Sequence, residues 1–423
     1  MQVFGLSDLI ATARSQCPFY RDFYRQVPQT ASLADLPIVD QAAFWSAHAE
    51  DRSNILTAPL RGGVVANSGG TSGAPKFSYY TRSEYDSSME MSGMAFVAAG
   101  LKEGQRVANL FPAGDMYSAF LTAAHSLHQA EVETLHFPIG FLSSDDFIAD
   151  IAAEFSIDCV AGMPSRLYRL FEHLQKAPPI FKIDRVLYAG EPFYPSQEQL
   201  ILSLFPGVKI RSGGYGSVDA GILGYADEEC QRGEHKIFGD YVILEIVDEN
   251  GEPILEPERP GAILATNLTR KLMPMLRYPT GDRAAWCGEA TGGDRKLRLL
   301  GRGKEAARLA DVNIYPADIL RIAQKATGVD FGPIQLVTIS EMGRDSLEVL
   351  LATDLVSEIS GWADMVFHIK QSIFSEQPVL QKMIQAGIIG EVGVRVVSAS
   401  ELMANARSGK VSAVVDLRQA MAA

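Results

Sequence analysis

Hydrophobic residues between about 106 and 212 follow an alternating pattern. Short apolar runs such as RVANLF, CVAG and RVLY are separated by longer segments in which apolar residues recur every three or four positions. Short apolar runs bounded by turns are typical of buried strands, and the three-to-four spacing is typical of amphipathic helices. Strands that alternate with helices predict βαβ units and a mostly parallel sheet.

The pattern changes near residue 234, where apolar and polar residues begin to alternate. The segment HKIFGDYVILEIVDENGEPI shows this alternation around a turn at Glu249-Asn250-Gly251. A period of two predicts half-buried strands, so a small antiparallel sheet is expected over about 234–300. Beyond 301–305, strand-like segments such as LEVLLAT accompany one amphipathic helix near 357–378, which predicts a small α+β domain.

These patterns predict an α/β protein with two domains. The N-terminal domain is expected over 1–302, with capped helices in its first 60 residues, βα units to about 233 and then the antiparallel subdomain. The C-terminal domain is expected over 303–423. The chain has 423 residues, which is too long for one ordinary hydrophobic core and supports the division.

Composition and charge exclude some classes of partner. Hydrophobic residues make up 47% and charged residues 21%, as in a folded globular protein. The formal net charge of -13 argues against a general nucleic-acid binder or an anionic-membrane binder, because both need clustered cations. The chain shows neither a signal-peptide pattern nor an apolar run long enough to span a membrane. With its scattered cysteines, this predicts a cytoplasmic protein.

A loop rich in glycine and hydroxyl residues is the first candidate for chemistry. It lies between two strand-like segments, VVA and FSYY, and differs from a Walker A loop because no Gly-Lys-Ser/Thr ending leads into a helix. Glycines let backbone N–H groups turn toward an anion, hydroxyls donate to phosphate oxygens and lysine neutralises charge. The loop predicts a phosphate site, with an ordinary surface turn as the alternative; its residues are Ser68, Gly69, Gly70, Thr71, Ser72, Gly73 and Lys76.

Six further segments along the chain are candidates for chemistry together with this loop. They are Cys17-Pro18-Phe19-Tyr20-Arg21, Gly190-Glu191-Pro192, Tyr215-Gly216-Ser217-Val218-Asp219, Arg277-Tyr278-Pro279-Thr280-Gly281-Asp282, Gly301-Arg302-Gly303-Lys304-Glu305 and Ser408-Gly409-Lys410-Val411. Together with the loop, they resemble the motifs of the adenylate-forming superfamily of acyl-CoA synthetases, adenylation domains and luciferases. The chain is most similar to the phenylacetate-CoA ligase branch of that superfamily.

The resemblance implies that ATP, with Mg²⁺, activates a carboxylic acid as an acyl-adenylate. Asp219 stands where the family has a glutamate, and it is expected to help hold Mg²⁺. Lys410 and Arg302 are the further catalytic candidates, and a hinge is expected at Gly303-Lys304, so the C-terminal domain would be mobile. Besides the loop, the expected nucleotide-binding residues are Gly190, Glu191, Pro192, Gly214, Tyr215, Gly216, Ser217, Asp282 and Arg302.

The resemblance also indicates where the acid binds. The segments 109–118 and 136–141 are expected to form an aromatic-lined cleft suited to an aryl acid, although ordinary core packing is the alternative for each aromatic residue. The expected pocket residues are Phe111, Tyr117, Phe137, Gly213, Gly214 and Val218.

The acyl acceptor is less well defined, because the chain departs from the branch after the hinge. Its Ala310-Asp311 replaces an Arg-Gly pair that in the family borders the pantetheine tunnel. We expect transfer to a thiol, with CoA as one candidate, and this departure predicts that the CoA step is weakened, redirected to a carrier protein or absent. The alternatives are a carrier protein or an amine as acceptor, or a nucleotide-binding relative that has lost catalysis. The resemblance also allows a homodimer.

A zinc site is a weaker hypothesis. Cys230 and His235 lie close together in sequence, and Cys287 is a distant third candidate. A tetrahedral structural site needs about four ligands, and two are evident locally.

Overall fold

The computed structural model describes most of the chain in two compact units. The described residues are 1–68, 76–114, 116–176, 179–288, 295–302, 306–309, 312–341, 344–353, 361–404 and 411–418. One unit comprises Met1–Pro192 and Leu204–Leu300, and the other comprises Phe193–Ser203 and Gly301–Ala423. Within the described ranges, no helix combines the length and the apolar character needed to cross a membrane.

A parallel sheet forms the centre of the first unit, as the alternating pattern predicted. Its order is β4-β3-β5-β6-β7, with β3 at Arg106–Asn109, β4 at Leu135–Phe137, β5 at Cys159–Gly162, β6 at Arg185–Tyr188 and β7 at Lys209–Ser212. The helices of this region are α4 at Arg82–Ala98, α5 at Ala119–Gln129, α6 at Asp145–Glu154 and α7 at Pro164–Lys176. Helix α8, at Pro195–Leu204, follows β6 in the sequence and belongs, up to Ser203, to the second unit. The predicted α/β class is confirmed.

An antiparallel sheet completes the first unit. Its order is β11-β12-β13-β14-β10-β9-β8, with β8 at Tyr215–Ser217, β9 at Gly221–Tyr225, β10 at Glu234–Ile237, β11 at Val242–Val247, β12 at Gly261–Asn267, β13 at Tyr278–Cys287 and β14 at Lys296–Arg302. The sheet therefore begins at Tyr215, and the start predicted near residue 234 is too late. The glycine-rich segment 213–224 has too few side chains to show an alternating pattern.

Three N-terminal helices pack on the antiparallel sheet and share its hydrophobic core. They are α1 at Leu6–Gln16, α2 at Pro18–Phe23 and α3 at Gln41–Glu50. Tyr20 and Phe44 from these helices are buried in one cluster with Ile263 and Tyr278 of the sheet. The hairpin of β1 at Val64–Ser68 and β2 at Lys76–Tyr80 brackets the glycine-rich loop, as predicted.

The second unit has its own sheet and core. The sheet order is β19-β18-β17-β20, and a separate hairpin pairs β15 with β16. Helices α9 and α11 accompany the predicted α10 and were not predicted from the sequence. The bounds are β15 Ala307–Leu309, β16 Val312–Ile314, α9 Pro316–Thr327, β17 Ile334–Glu341, β18 Arg344–Ala352, α10 Trp362–Glu376, α11 Pro378–Gln385, β19 Val392–Val397 and β20 Val414–Asp416.

Candidate active site

The glycine-rich loop is closed by a regular hairpin. Ser68 and Lys76 are register partners at the end of β1 and β2, so the two ends of the loop lie side by side. Lys76 is half-buried, and its Nζ lies 5.6 Å from the centre of the Trp45 ring. Outside the described residues lie Gly69, Gly70, Thr71, Ser72 and Gly73, together with the side chain of Ser68.

The carboxylate of Asp219 lies close to the lysine at the end of this loop. Its Oδ2 is 4.0 Å from Lys76 Nζ and accepts a hydrogen bond of 2.6 Å from the Tyr278 hydroxyl. Its Oδ1 accepts a second bond, of 2.7 Å, from Ser217 Oγ. Asp219 is only 7% exposed, so these donors compensate the desolvation of a buried carboxylate.

A buried arginine ties the backbone at Asp219 to the β2 strand. The guanidinium of Arg270 donates to the backbone oxygen of Asp219, to Ser78 Oγ at 2.9 Å and to the backbone oxygen of Tyr79 at 3.0 Å. Its carbon Cζ lies 4.0 Å from the centre of the Tyr80 ring, a cation–π distance. Arg270 is 1% exposed and belongs to no motif identified in the sequence, which is why sequence reasoning missed it.

A second pair of motifs meets at Tyr215 and Asp282. The Tyr215 hydroxyl donates to Asp282 Oδ2 at 2.8 Å and lies 3.5 Å from Thr280 Oγ1. Gly216 is required here, because a Cβ at that position would lie 2.4 Å from the backbone oxygen of Gly221. The structure thus brings together two residues that were both predicted to bind the nucleotide.

A neutral histidine supports the start of the Tyr215 segment. His235 Nε2 lies 2.8 Å from Ser212 Oγ, and the backbone N–H of Gly214 also contacts that oxygen at 3.3 Å. Burial lowers the pKa of His235 to about 4, so the imidazole is uncharged near neutral pH. His235 is therefore engaged with Ser212. In the described part of the chain, no group of three or more His, Cys, Asp or Glu residues could hold a metal ion, which gives the zinc hypothesis no support.

Glu191 caps helix α7, which follows strand β5 of the parallel sheet. Its Oε2 accepts a 2.9 Å hydrogen bond from the backbone N–H of Ser165, in the first turn of α7. A carboxylate at a helix N-terminus is favourable, because the N–H groups there carry partial positive charge. Gly190 has a φ of 86°, in the left-handed region that favours glycine. This contact fixes the chain at Gly190-Glu191-Pro192.

The two segments predicted to bind the acid meet at Asn109. Its Nδ2 donates to the backbone oxygen of Phe120 at 3.1 Å and lies 3.3 Å from His136 Nε2. Its backbone oxygen accepts from Gly140 N at 2.8 Å. Asn109 ends β3 and is fully buried, so it fixes 109–118 against 136–141.

The aromatic residues of these segments occupy different environments. Phe111 is buried in a cluster with Phe96, and Phe137 packs on Phe155 with ring centres 5.4 Å apart. Tyr117 and Val218 are half-buried, and the backbone oxygen of Val218 accepts a bond of 3.0 Å from Tyr80. A Cβ at Gly213 would lie 2.7 Å from Phe96 Cε1, and Gly214 has a φ of 138°. Glycine is therefore needed at both positions.

Comparison with known proteins gives relatives in sequence and in structure. The chain is 26% identical over 60% of its length to a phenylacetate-coenzyme A ligase of Thermus thermophilus. It is 27% identical over 63% of its length to an indoleacetate–lysine synthetase of Pseudomonas savastanoi. These alignments span 58% and 61% of the two relatives, about three fifths of their length. No protein-family model matches the chain.

The structural similarity extends over nearly the whole chain. A crystal structure of 2-hydroxyisobutyryl-CoA ligase, in the postadenylation state with 2-HIB-AMP, matches 99% of this chain and 89% of its own, with a TM-score of 0.75 and 18% identity. The chain has the adenylate-forming fold. The resemblance to the adenylate-forming superfamily and its phenylacetate-CoA ligase branch is thereby confirmed.

Several residues that the resemblance singles out in this chain lie outside the described residues. They are Lys304, Ala310, Asp311, Lys410 and the side chain of Arg302. Their expected roles stay predictions. Within the first unit, the adenylate-forming motifs form two hydrogen-bonded groups, one around Asp219 and one around Tyr215 and Asp282.

Proposed function

We propose that the protein uses ATP to activate a carboxylic acid as an acyl-adenylate and releases pyrophosphate. The observation that carries this proposal is the Asp219 carboxylate, which is held by Tyr278 and Ser217 at 4.0 Å from the lysine that ends the glycine-rich loop. Such a group of fixed charges suits phosphates bound beside a loop of backbone N–H donors. The structural relative that holds 2-HIB-AMP supports the same activity.

The residues around Asp219 fit a magnesium ion bound together with ATP. A carboxylate has about four acceptor sites, and Ser217 and Tyr278 use two of them. Mg²⁺ keeps several of its waters and needs one or two carboxylates. When bound, it would add positive potential at the phosphate oxygens. Asp219 is the residue of this chain that would hold it.

The other residues divide into groups that orient the nucleotide and one that stabilises charge. Lys76 and the loop N–H groups bind the phosphates, and Asp282, oriented by Tyr215, accepts hydrogen bonds from the ribose hydroxyls. The segment Gly190-Glu191-Pro192 borders the adenine. From the motif resemblance alone, Lys410 and Arg302 are proposed to stabilise the charge that develops on the reacting carboxylate and the α-phosphate. No general base is needed, because a substrate carboxylate is already ionised near pH 7.

The proposed substrate is an aryl acid, and an arylacetic acid fits best. Both sequence relatives are named for arylacetates, phenylacetate in one case and indoleacetate in the other. The segments joined at Asn109 supply Phe111, Tyr117 and Phe137 as aromatic surfaces. Aromatic side chains contact planar rings favourably.

Pyrophosphate exchange tests the activity. The purified protein is incubated with ATP, Mg²⁺ and labelled pyrophosphate, together with phenylacetate, indoleacetate, benzoate or a fatty acid. We expect label to enter ATP only when an acid is present, and most rapidly with an arylacetate. If no acid supports exchange while ATP still binds, the protein is a nucleotide-binding relative without catalysis.

The acyl acceptor is proposed to be a thiol, with CoA as the first candidate, because the phenylacetate-coenzyme A ligase relative is named for that acceptor. Ala310-Asp311 stands against efficient CoA use, since a carboxylate near the tunnel would repel an anionic cofactor. Adding CoA, or a carrier protein, to the adenylating reaction and measuring thioester tests this. Efficient acyl-CoA formation would contradict a weakened CoA step.

An amine is the second candidate acceptor, favoured by the similarity to the indoleacetate–lysine synthetase. The same reaction run with lysine and other amino acids in place of CoA would then release an amide. Mass spectrometry of the product distinguishes the amide from a thioester. The two outcomes can be compared at equal rates of pyrophosphate release.

A further inference from the structure

Helix α3 presents three polar side chains on one face to strands that carry the candidate active site. Gln41 Nε2 donates to the backbone oxygen of Pro279 at 2.5 Å, and Trp45 Nε1 donates to the Tyr278 hydroxyl at 3.0 Å. His48 Nε2 lies 2.9 Å from the Tyr79 hydroxyl. The spacing of four and then three residues places all three on the same side of the helix.

These contacts connect α3 with two strands that carry sequence motifs, β13 and β2. Tyr278 and Pro279 begin β13, the strand that continues to Asp282, and Tyr79 lies in β2, which begins at Lys76. The Trp45 ring also lies beneath the Lys76 ammonium group, 5.6 Å from its nitrogen. Helix α3 therefore connects the phosphate-loop strand with the strand that carries the nucleotide motif.

The direction of the hydrogen bonds at Tyr278 is fixed by chemistry. An indole N–H can only donate, so the Tyr278 oxygen accepts from Trp45. Its own proton then goes to Asp219 Oδ2, because a carboxylate can only accept.

The hydrogen bond from Tyr278 determines where the Asp219 carboxylate lies relative to Lys76. Asp219 Oδ2 makes a 2.6 Å bond to Tyr278 and stays 4.0 Å from Lys76, beyond the range of a charge-assisted hydrogen bond. If the Tyr278 hydroxyl were removed, Lys76 would be the nearest cation in the described structure that could bind Asp219 Oδ2 in its place. The carboxylate would then turn toward the lysine.

We propose that Trp45 and Tyr278 are positioning residues that hold Asp219 at 4.0 Å from Lys76, too far for a direct hydrogen bond between them, so that the lysine's charge acts on the nucleotide phosphates. This inference rests on the proposed function, because it assumes that ATP binds beside Lys76. It assigns roles to two residues outside the reacting groups, one of them on a helix that belongs to none of the sequence motifs.

The test compares Tyr278→Phe and Trp45→Phe with a matched control, Tyr20→Phe. Tyr20 is as fully buried as Tyr278 and shares its core, but its hydroxyl donates to the backbone oxygen of Pro274, at 3.0 Å. The control therefore removes a buried phenol hydroxyl that does not contact a carboxylate. Calorimetry measures the ATP dissociation constant with Mg²⁺ and in EDTA, and kinetics measure KM for ATP and for the acid.

We expect Tyr278→Phe to weaken ATP binding about tenfold, with and without Mg²⁺, because the effect acts through the lysine. Trp45→Phe should weaken it about threefold, since the phenol remains but is less well oriented. KM for the acid should stay within about twofold in both variants, and Tyr20→Phe should bind ATP like the wild type even if its melting temperature falls.

Each other outcome has a defined meaning. Normal ATP binding by Tyr278→Phe or a loss equal to that of Tyr20→Phe would overturn the inference and leave the proposed function intact. A loss confined to the Mg²⁺ titration would also overturn it, since the effect would then act through the metal. If the wild type fails to bind ATP, the proposed function fails and the inference with it. Should Tyr278→Phe not fold, Trp45→Phe decides alone.

Discussion

The proposed nucleotide side and the proposed acid side of the candidate site are built differently. On the nucleotide side, charged and hydroxyl groups contact one another directly, as in the bonds from Tyr278 to Asp219 and from Tyr215 to Asp282. On the acid side, aromatic rings pack on core residues or, for Phe137, on the exposed ring of Phe155, and Asn109 supplies the polar connection to His136. Fixed charges suit a ligand common to all reactions of such a fold, whereas packed rings can change with the acid. Changes on the two sides should therefore have different kinetic signatures.

The largest expected effect is that of replacing Lys410, the proposed catalytic lysine. Lys410→Ala should lower the rate of pyrophosphate exchange by about 10²–10³-fold with every acid, because it removes a cation from the developing charge. Isotope exchange at saturating ATP measures this. An unchanged rate would show that Lys410 has another role. Lys370→Ala is a control that also removes one lysine charge, at a half-buried position of α10, and it should leave exchange unchanged.

The folded protein should lose stability in acid because of His235, which supports the start of the Tyr215 segment through Ser212. His235 has a pKa of about 4 in the folded protein, below the ordinary value of 6.5, so the unfolded state binds a proton first as pH falls. Stability should therefore decrease between pH 6.5 and pH 4, by up to about 3 kcal/mol. Denaturant unfolding across this range, with His235→Asn as comparison, measures the contribution. A variant with the same pH dependence as the wild type would contradict it.

An intermediate effect is expected where the two nucleotide motifs meet. Tyr215→Phe removes the 2.8 Å bond to Asp282, and it should raise KM for ATP about fivefold to tenfold with each acid tested. The relative rates for different acids should be unchanged. A change in acid preference would place Tyr215 on the acid side and weaken the comparison.

The smallest effect is expected on the acid side, and it should be selective. Phe137→Ala removes the ring that contacts Phe155, and it should change the ratio of KM values between phenylacetate and indoleacetate by about threefold to tenfold. KM for ATP should stay constant. Steady-state kinetics with paired acids measure this, and equal changes for both acids would indicate a general packing defect.

Features set by neighbouring residues could be predicted from the sequence, whereas features set by distant residues could not. The parallel sheet and the loop between β1 and β2 followed from local spacing, which is a property of neighbouring residues. Arg270 and Trp45 were not predicted, because their partners Ser78 and Tyr278 are 192 and 233 positions away. The start of the antiparallel sheet was misplaced where glycines leave no alternating side chains. Long-range polar contacts and glycine-rich strands carry no local periodicity.

The hairpin that closes the glycine-rich loop has a consequence for how the loop can vary in length. Its two strands pair from Val64 with Tyr80 to Ser68 with Lys76, so they hold the loop ends together without help from the loop itself. Doubling the length of such a loop costs only about 0.6 kcal/mol of closure entropy. Folding therefore places little restraint on insertions at this position. Under the proposed function, the limit on the loop's length is set by the phosphate group that the loop binds, so selection on length acts through the ligand.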